Sequence, residues 1–195
     1  MALPQIVLSA SIALLLAGAS HASARTIHIV AFGDSSTAGY LVASRDAYPA
    51  QLQHTLRKRG YNVAIKNAGL SGDTTEGALR RLDSAIGRRA DVAIVEFGTN
   101  DLRLGVPPER MRTNLDEIVR NLRSRSIEVL VIGFGPPLDF SDIARAHGAL
   151  YTRWELPPGK YRARDGNHYN AVGYSILVAH MLAEVEALVN RVARR

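Results

Sequence analysis

Apolar positions along the chain follow two alternating rhythms. Thr26 to Phe32 (TIHIVAF), Tyr61 to Lys66, Val92 to Phe97 (VAIVEF) and Glu128 to Phe134 are short runs of β-branched and other apolar residues, most of them followed by turn residues, and they predict buried strands. Between them the apolar residues return at helical spacing. Tyr48, Leu52, Leu56 and Arg59 share one side of a stretch opened by Pro49 and closed by Gly60. Leu79, Leu82 and Ile86 do so in a second helix, for which Asp73 and Glu76 predict an N-cap and its capping-box partner. Met111, Leu115, Ile118, Val119 and Leu122 mark a third helix from Pro108 to Ser124. The last helix runs from about Ala171 to Val192, with Tyr174, Leu177, Val178, Met181, Leu182, Val185, Leu188 and Val189 on its buried stripe. Between Asp139 and Arg164 the pattern is fainter: a short helix near Ser141 to His147 and a fifth strand near Ala149 to Thr152.

Strands that alternate with helices and are apolar along their length predict a parallel sheet covered on both faces, an α/β domain of about five strands. Ligands bind such sheets at the carboxyl ends of their strands. That directs attention to Gly33–Gly39, Gly69–Asp73, Gly98–Asp101 and whatever the C-terminal loops bring beside them.

At 195 residues the chain fits one domain, and 47% hydrophobic with 22% charged residues is an ordinary globular balance. The N-terminus departs from it. Ile6 to Ala17 carries no charge and is followed by small residues ending in Ala22-Ser23-Ala24, an A-x-A cleavage site. Residues 1–24 therefore read as a signal peptide and 25–195 as the mature domain, exported to the periplasm or secreted and without a stable membrane span. An n-region lacking Lys and Arg departs from the usual signal pattern. The chain has no cysteine, which excludes disulfides, a thiolate metal site and a catalytic thiol. A formal charge of +6 lies wholly outside the leader, but the basic residues are scattered over helix faces without interleaved aromatics, so nucleic acid is not an expected partner.

Ser35 follows directly on the first strand in Gly33-Asp34-Ser35-Ser36, at the sheet's active edge, where exposed backbone N–H groups suit an oxyanion. An isolated serine there is more often a helix cap. Ser35 to Gly39 also has the small residues of a phosphate cradle, but Asp34 would repel the phosphate and no Walker-type lysine follows. Asp165-Gly166-Asn167-His168 precedes the last helix. A serine nucleophile needs a base within hydrogen-bond reach, and the base needs a carboxylate to fix its tautomer. Asp-x-x-His supplies both from one loop. As metal ligands the pair lacks further partners, since the other histidines form no cluster.

In order, Gly33-Asp34-Ser35, Ser71-Gly72-Asp73, Gly98-Thr99-Asn100-Asp101 and Asp165-x-x-His168 resemble the four blocks of the SGNH (GDSL-type) hydrolase family. AFGDSSTAGY, NAGLSGDTTEGALRRL and VEFGTNDLRLG look like its bacterial branch of arylesterases and thioesterase I/lysophospholipase L1 enzymes. The resemblance implies a flavodoxin-like three-layer fold and acyl transfer through a serine-bound intermediate on a small-molecule ester, with no metal or organic cofactor. By position it implies Ser35 as nucleophile, His168 as base and Asp165 as its orienter. It also implies an oxyanion hole from the Ser35 N–H, the Gly72 N–H and the Asn100 side chain.

The chain departs from that pattern with Ser36 in place of Leu, Tyr169 in place of Pro, and a shortened segment from Pro136 to Arg164. A shortened segment predicts a more open pocket and a preference for short or aryl acyl esters, with Leu138, Phe140, Tyr151, Trp154 and Leu156 as candidates to line it. Two other functions remain compatible with these residues: a catalytically silent envelope binding protein on the same fold, and a carbohydrate O-acyltransferase or deacetylase.

Overall fold

The computed structural model describes residues 25–155 and 159–195, so the leader expected at 1–24 and Leu156 lie outside the described residues. Five strands form one parallel sheet: β1 (Ile27–Gly33), β2 (Val63–Gly69), β3 (Val92–Glu96), β4 (Glu128–Gly133) and β5 (Leu150–Arg153), in the order β2-β1-β3-β4-β5. The helices are α1 (Ser35–Ala38), α2 (Tyr48–Lys58), α3 (Thr75–Ile86), α4 (Thr99–Arg103), α5 (Pro108–Ser124), α6 (Ser141–Ala146) and α7 (Ala171–Ala193).

Strand alternation divides the core into two layers. On β1, β3 and β4 the residues Ile29, Ala31, Val92, Ile94, Leu130 and Ile132 face α2 and α7, while Val30, Phe32, Ala93, Val95, Val129 and Val131 face α3, α5 and α6. A side-chain period of two on strands covered from both sides leaves no polar face, which is why these strands read as continuous apolar runs. α7 is long and apolar enough to cross a membrane by composition, yet its stripe from Tyr174 to Val192 is buried in the first of these layers.

Two expectations are corrected. β2 begins at Val63 and continues to Gly69, because its register with β1 runs from Ile27↔Val63 to Gly33↔Gly69 and carries Lys66 and Asn67 along the sheet edge. The N-cap of α3 is Thr74, whose side chain accepts from Gly77 N at 3.2 Å, and Glu76 instead pairs on the surface with Arg80 and Arg110. Asp73 Oδ1 accepts from Thr74 N at 3.0 Å, and its Oδ2 pairs with Arg81 at 2.7 Å. The same guanidinium donates to the Ala68 and Gly33 carbonyls and lies 4.6 Å over the Phe32 ring, clamping the ends of β1 and β2 together.

Chain order reverses between β1 and β3, since β1 connects outward to β2 while β3 lies on its other side. The crevice this leaves at the carboxyl ends is the usual ligand position of an open α/β sheet. α1 starts there and packs directly on β2. A Cβ on Gly69 would stand 2.2 Å from Ala38 N and 2.7 Å from Thr37 C, backbone atoms that cannot step aside. Gly69→Ala is expected to lower stability by ~1–3 kcal/mol through overpacking, read as a fall in the urea midpoint, and to displace α1 with loss of activity.

Candidate active site

Ser35 is the first residue of α1, immediately after β1 ends. Its Oγ lies 2.8 Å from His168 Nε2, although the two residues are 133 positions apart. His168 Nδ1 is 2.5 Å from Asp165 Oδ2, while Asp165 Oδ1 accepts from the backbone N–H groups of Asn167 (3.1 Å) and His168 (3.0 Å). The hydrogen bond from His168, followed by those from the two backbone amides, lowers the Asp165 pKa to about 2. An ionised Asp165 at neutral pH holds the proton on Nδ1 and leaves the Nε2 lone pair facing the serine hydroxyl. Tyr40 packs edge-on against the imidazole at a centroid distance of 4.9 Å.

Beneath the serine lies a polar hub. Asp34 is fully buried; its Oδ1 accepts from Ser36 N at 2.9 Å and caps α1, and its Oδ2 accepts from Thr99 Oγ1 at 2.6 Å and Asn100 Nδ2 at 3.0 Å. Burial raises its pKa against those hydrogen bonds. Next to it, buried Glu96 at the end of β3 accepts from Thr37 Oγ1 at 2.9 Å and is 3.4 Å from Asp34 N. Burial first, and the neighbouring Asp34 charge second, push the Glu96 pKa well above the carboxylate range. Since Asp34 accepts three hydrogen bonds and Glu96 Oε1 accepts none, the charge of the pair resides on Asp34 and the proton on Glu96.

Gly72 has a positive φ of 81° and open space around its Cα, so its backbone faces the same cavity as Ser35 and His168. Among the described residues neither Ser35 N–H nor Gly72 N–H donates to another protein group. Asn100 is less free. Its Nδ2 donates to Asp34 Oδ2 and, at 2.9 Å, to the Asp73 carbonyl, while Arg103 Nη2 donates to its Oδ1 at 3.1 Å. Asp101 has a purely architectural place: it accepts from Thr75 N and Oγ1, at 3.0 and 2.6 Å, tying α4 to the start of α3.

Of the five residues singled out from the sequence, Ser35, Gly72, Asn100 and His168 line one crevice, and Asp165 stands behind His168, bonded to its Nδ1. The cavity has a volume of about 740 Å³, and its wall includes Tyr40, Arg103, Phe134, Arg162 and Tyr169. The lining expected from the shortened segment is corrected. Leu138 and Phe140 are buried with α5 and α6, Trp154 is buried with α2 and α7, and Tyr151 packs against the former layer, so none of them borders the cavity. The short segment spends its apolar residues on covering β4 and β5. Sequence reasoning missed Glu96, Thr99, Arg103 and Arg162; only Glu96, an acid inside an apolar strand, carried a local signal. Among the described residues no group of three or more histidine and carboxylate side chains is gathered for a metal ion.

Residues 31–176 match the GDSL-like Lipase/Acylhydrolase family. The chain is 30% identical over 151 residues to Esterase TesA of Pseudomonas aeruginosa, covering 74% of each protein. It is 25% identical over 186 residues to thioesterase 1/protease 1/lysophospholipase L1 of Escherichia coli, covering 87% of each. The structure of psychrotrophic esterase EstA from a Pseudoalteromonas species superimposes with a TM-score of 0.74 at 22% identity, over 84% of this chain and 98% of that one.

The hub makes a prediction of definite sign. A buried acid whose folded pKa is raised keeps a proton that the unfolded chain releases above about 4.3, so it lowers stability as pH rises from there toward its folded value. Relative to wild type, Glu96→Gln is expected to gain stability between about pH 4.5 and about pH 7.5 while keeping the Thr37 contact. Urea midpoints at both pH values check this. A constant difference would mean that Glu96 is ionised in the fold.

Proposed function

Starting from the fact that the chain belongs to the GDSL-like Lipase/Acylhydrolase (SGNH) family of ester-hydrolysing serine hydrolases, we propose that it is an exported esterase acting through a Ser35 acyl-enzyme. The observation that carries this reading is the unbroken relay from Asp165 through His168 to Ser35, at 2.5 and 2.8 Å. In the first step Ser35 Oγ attacks the ester carbonyl and its proton passes to His168 Nε2. The oxyanion of the tetrahedral intermediate accepts from the Ser35 and Gly72 N–H groups, whose freedom from other acceptors suits them to the task. Asn100 joins them by giving up its bond to the Asp73 carbonyl. His168 then protonates the departing alcohol or thiol. Water, deprotonated by the same imidazole, attacks the acyl carbonyl, and collapse returns the proton to Ser35 while the carboxylic acid leaves.

The cavity favours short or aryl acyl groups. Among the described residues its apolar surface comes from the rings of Tyr40, Phe134 and Tyr169, which form no aliphatic trough for a long chain. Ser35→Ala is expected to stay folded and to lose p-nitrophenyl acetate and butyrate hydrolysis by about 10³-fold or more. Asn100→Ala is expected to cost roughly 10²-fold. Comparable turnover of palmitate would overturn the short-acyl assignment, and activity surviving in Ser35→Ala would overturn the nucleophile. A folded wild type without esterase activity and unreactive toward a fluorophosphonate probe would be a silent binding protein.

Export rests on residues 1–24 of the sequence. Protein recovered from the envelope or medium of a bacterial host is expected to begin at Arg25 on N-terminal sequencing. Recovery from the cytosol with Met1 intact would refute it.

A further inference from the structure

Two arginines stand on the wall of the Ser35 cavity, Arg103 and Arg162. Elsewhere arginine is mostly neutralised: Arg25, Arg59, Arg81, Arg112, Arg123, Arg125 and Arg153 all pair with carboxylates. Among the described residues, Arg103 and Arg162 have no such partner. Both are ordered by neutral groups instead. Arg103 Nη2 donates to Asn100 Oδ1, and Arg162 Nη1 donates to the Asn167 carbonyl at 2.7 Å. The Arg162 guanidinium also lies 4.6 Å over the Tyr169 ring, and its backbone bridges to that same residue across the 162–169 loop.

This is a built arrangement. Tyr169, the residue standing where the resembled branch often has proline, is buried against Trp154 and Tyr174 and supplies a fixed platform. A stacked guanidinium loses little freedom on binding and keeps further N–H donors in a fork that matches a carboxylate or phosphate. Placement indicates which part of the substrate it meets. Arg162 donates to the carbonyl of the residue preceding His168 and shares the cavity wall with the imidazole that would protonate the leaving group.

We infer that Arg162, stacked on Tyr169 and supported by Arg103, selects esters or thioesters whose leaving alcohol or thiol carries an anionic group, a carboxylate or a phosphate. This rests on the serine esterase reading above and adds the substrate class to it. Arg162 is the specificity contact; Arg103 adds positive potential across the cavity, reinforced by the net charge of +6.

The test compares 4-acetoxybenzoate and 4-acetoxyphenyl phosphate with neutral methyl 4-acetoxybenzoate, using wild type and Arg162→Gln, Arg162→Glu and Arg162→Lys variants. Each variant serves as its own control, because damage to the 162–169 loop slows all three esters alike and leaves their kcat/KM ratio unmoved. The anionic-to-neutral ratio is expected to fall about tenfold from wild type to Arg162→Gln, the size of one charge-assisted contact. It should fall further in Arg162→Glu, be kept only in part in Arg162→Lys, which retains the charge without the stacked fork, and shrink in wild type as salt rises. The two anionic esters separate carboxylate from phosphate selectivity. Ratios that are the same in wild type and Arg162→Gln, with Ser35-dependent hydrolysis of the neutral ester intact, overturn the inference and leave the esterase reading standing. No Ser35-dependent hydrolysis of any ester by folded wild type overturns the esterase reading, and the inference with it.

Discussion

The burial of the Asp34 carboxylate is the constraint on which the site depends. A charge taken out of water needs hydrogen-bond donors, and here they come from three places: Ser36 N at the start of α1, and Thr99 and Asn100 on α4. Those bonds join the loops that leave β1 and β3, the two strands flanking the crevice. The proposed nucleophile and the proposed oxyanion donor are thereby held by one side chain. Removing Asp34 would free all of these donors at once.

Glu96 shows how the same burial is made tolerable. Two adjacent carboxylates cannot both be charged in a dry interior, and the hydrogen-bond pattern leaves the charge on Asp34. The neutral acid still anchors Thr37 and the turn into α1. Above the hub, Asp165 is in the opposite situation, exposed and strongly ionised, so the imidazole between Asp165 and Ser35 is oriented from the solvent side.

The cavity's character follows from where the apolar residues go. In the segment between β4 and the Asp165 loop, Leu138, Phe140 and Trp154 are consumed in covering the sheet. What remains around the serine is mixed, the rings of Tyr40, Phe134 and Tyr169 beside the basic side chains of Arg103 and Arg162. A wall of this composition is the basis for the proposed selectivity by charge and hydrogen bonding alongside contacts to aromatic rings.

Taken alone, the sequence determined whatever depends on near neighbours along the chain. The continuous apolar runs of β1, β3 and β4 and the helical stripes of α5 and α7 were legible because each extends over several neighbouring residues or turns. Asp165 and His168 were legible as a pair because they stand three positions apart, and the first three of the four ordered blocks marked the ends of β1, β2 and β3. Only the tertiary structure decided the rest. α1 and α4 are too short to show a period, β2 is set by its register against β1, and the cap of α3 falls on Thr74 while Asp73 pairs with Arg81. The contact of Ser35 with His168 and the shared wall of Arg103 and Arg162 bring together segments far apart in the chain. Such meetings are set by how the crossovers wind around the sheet, and local patterns carry no record of that.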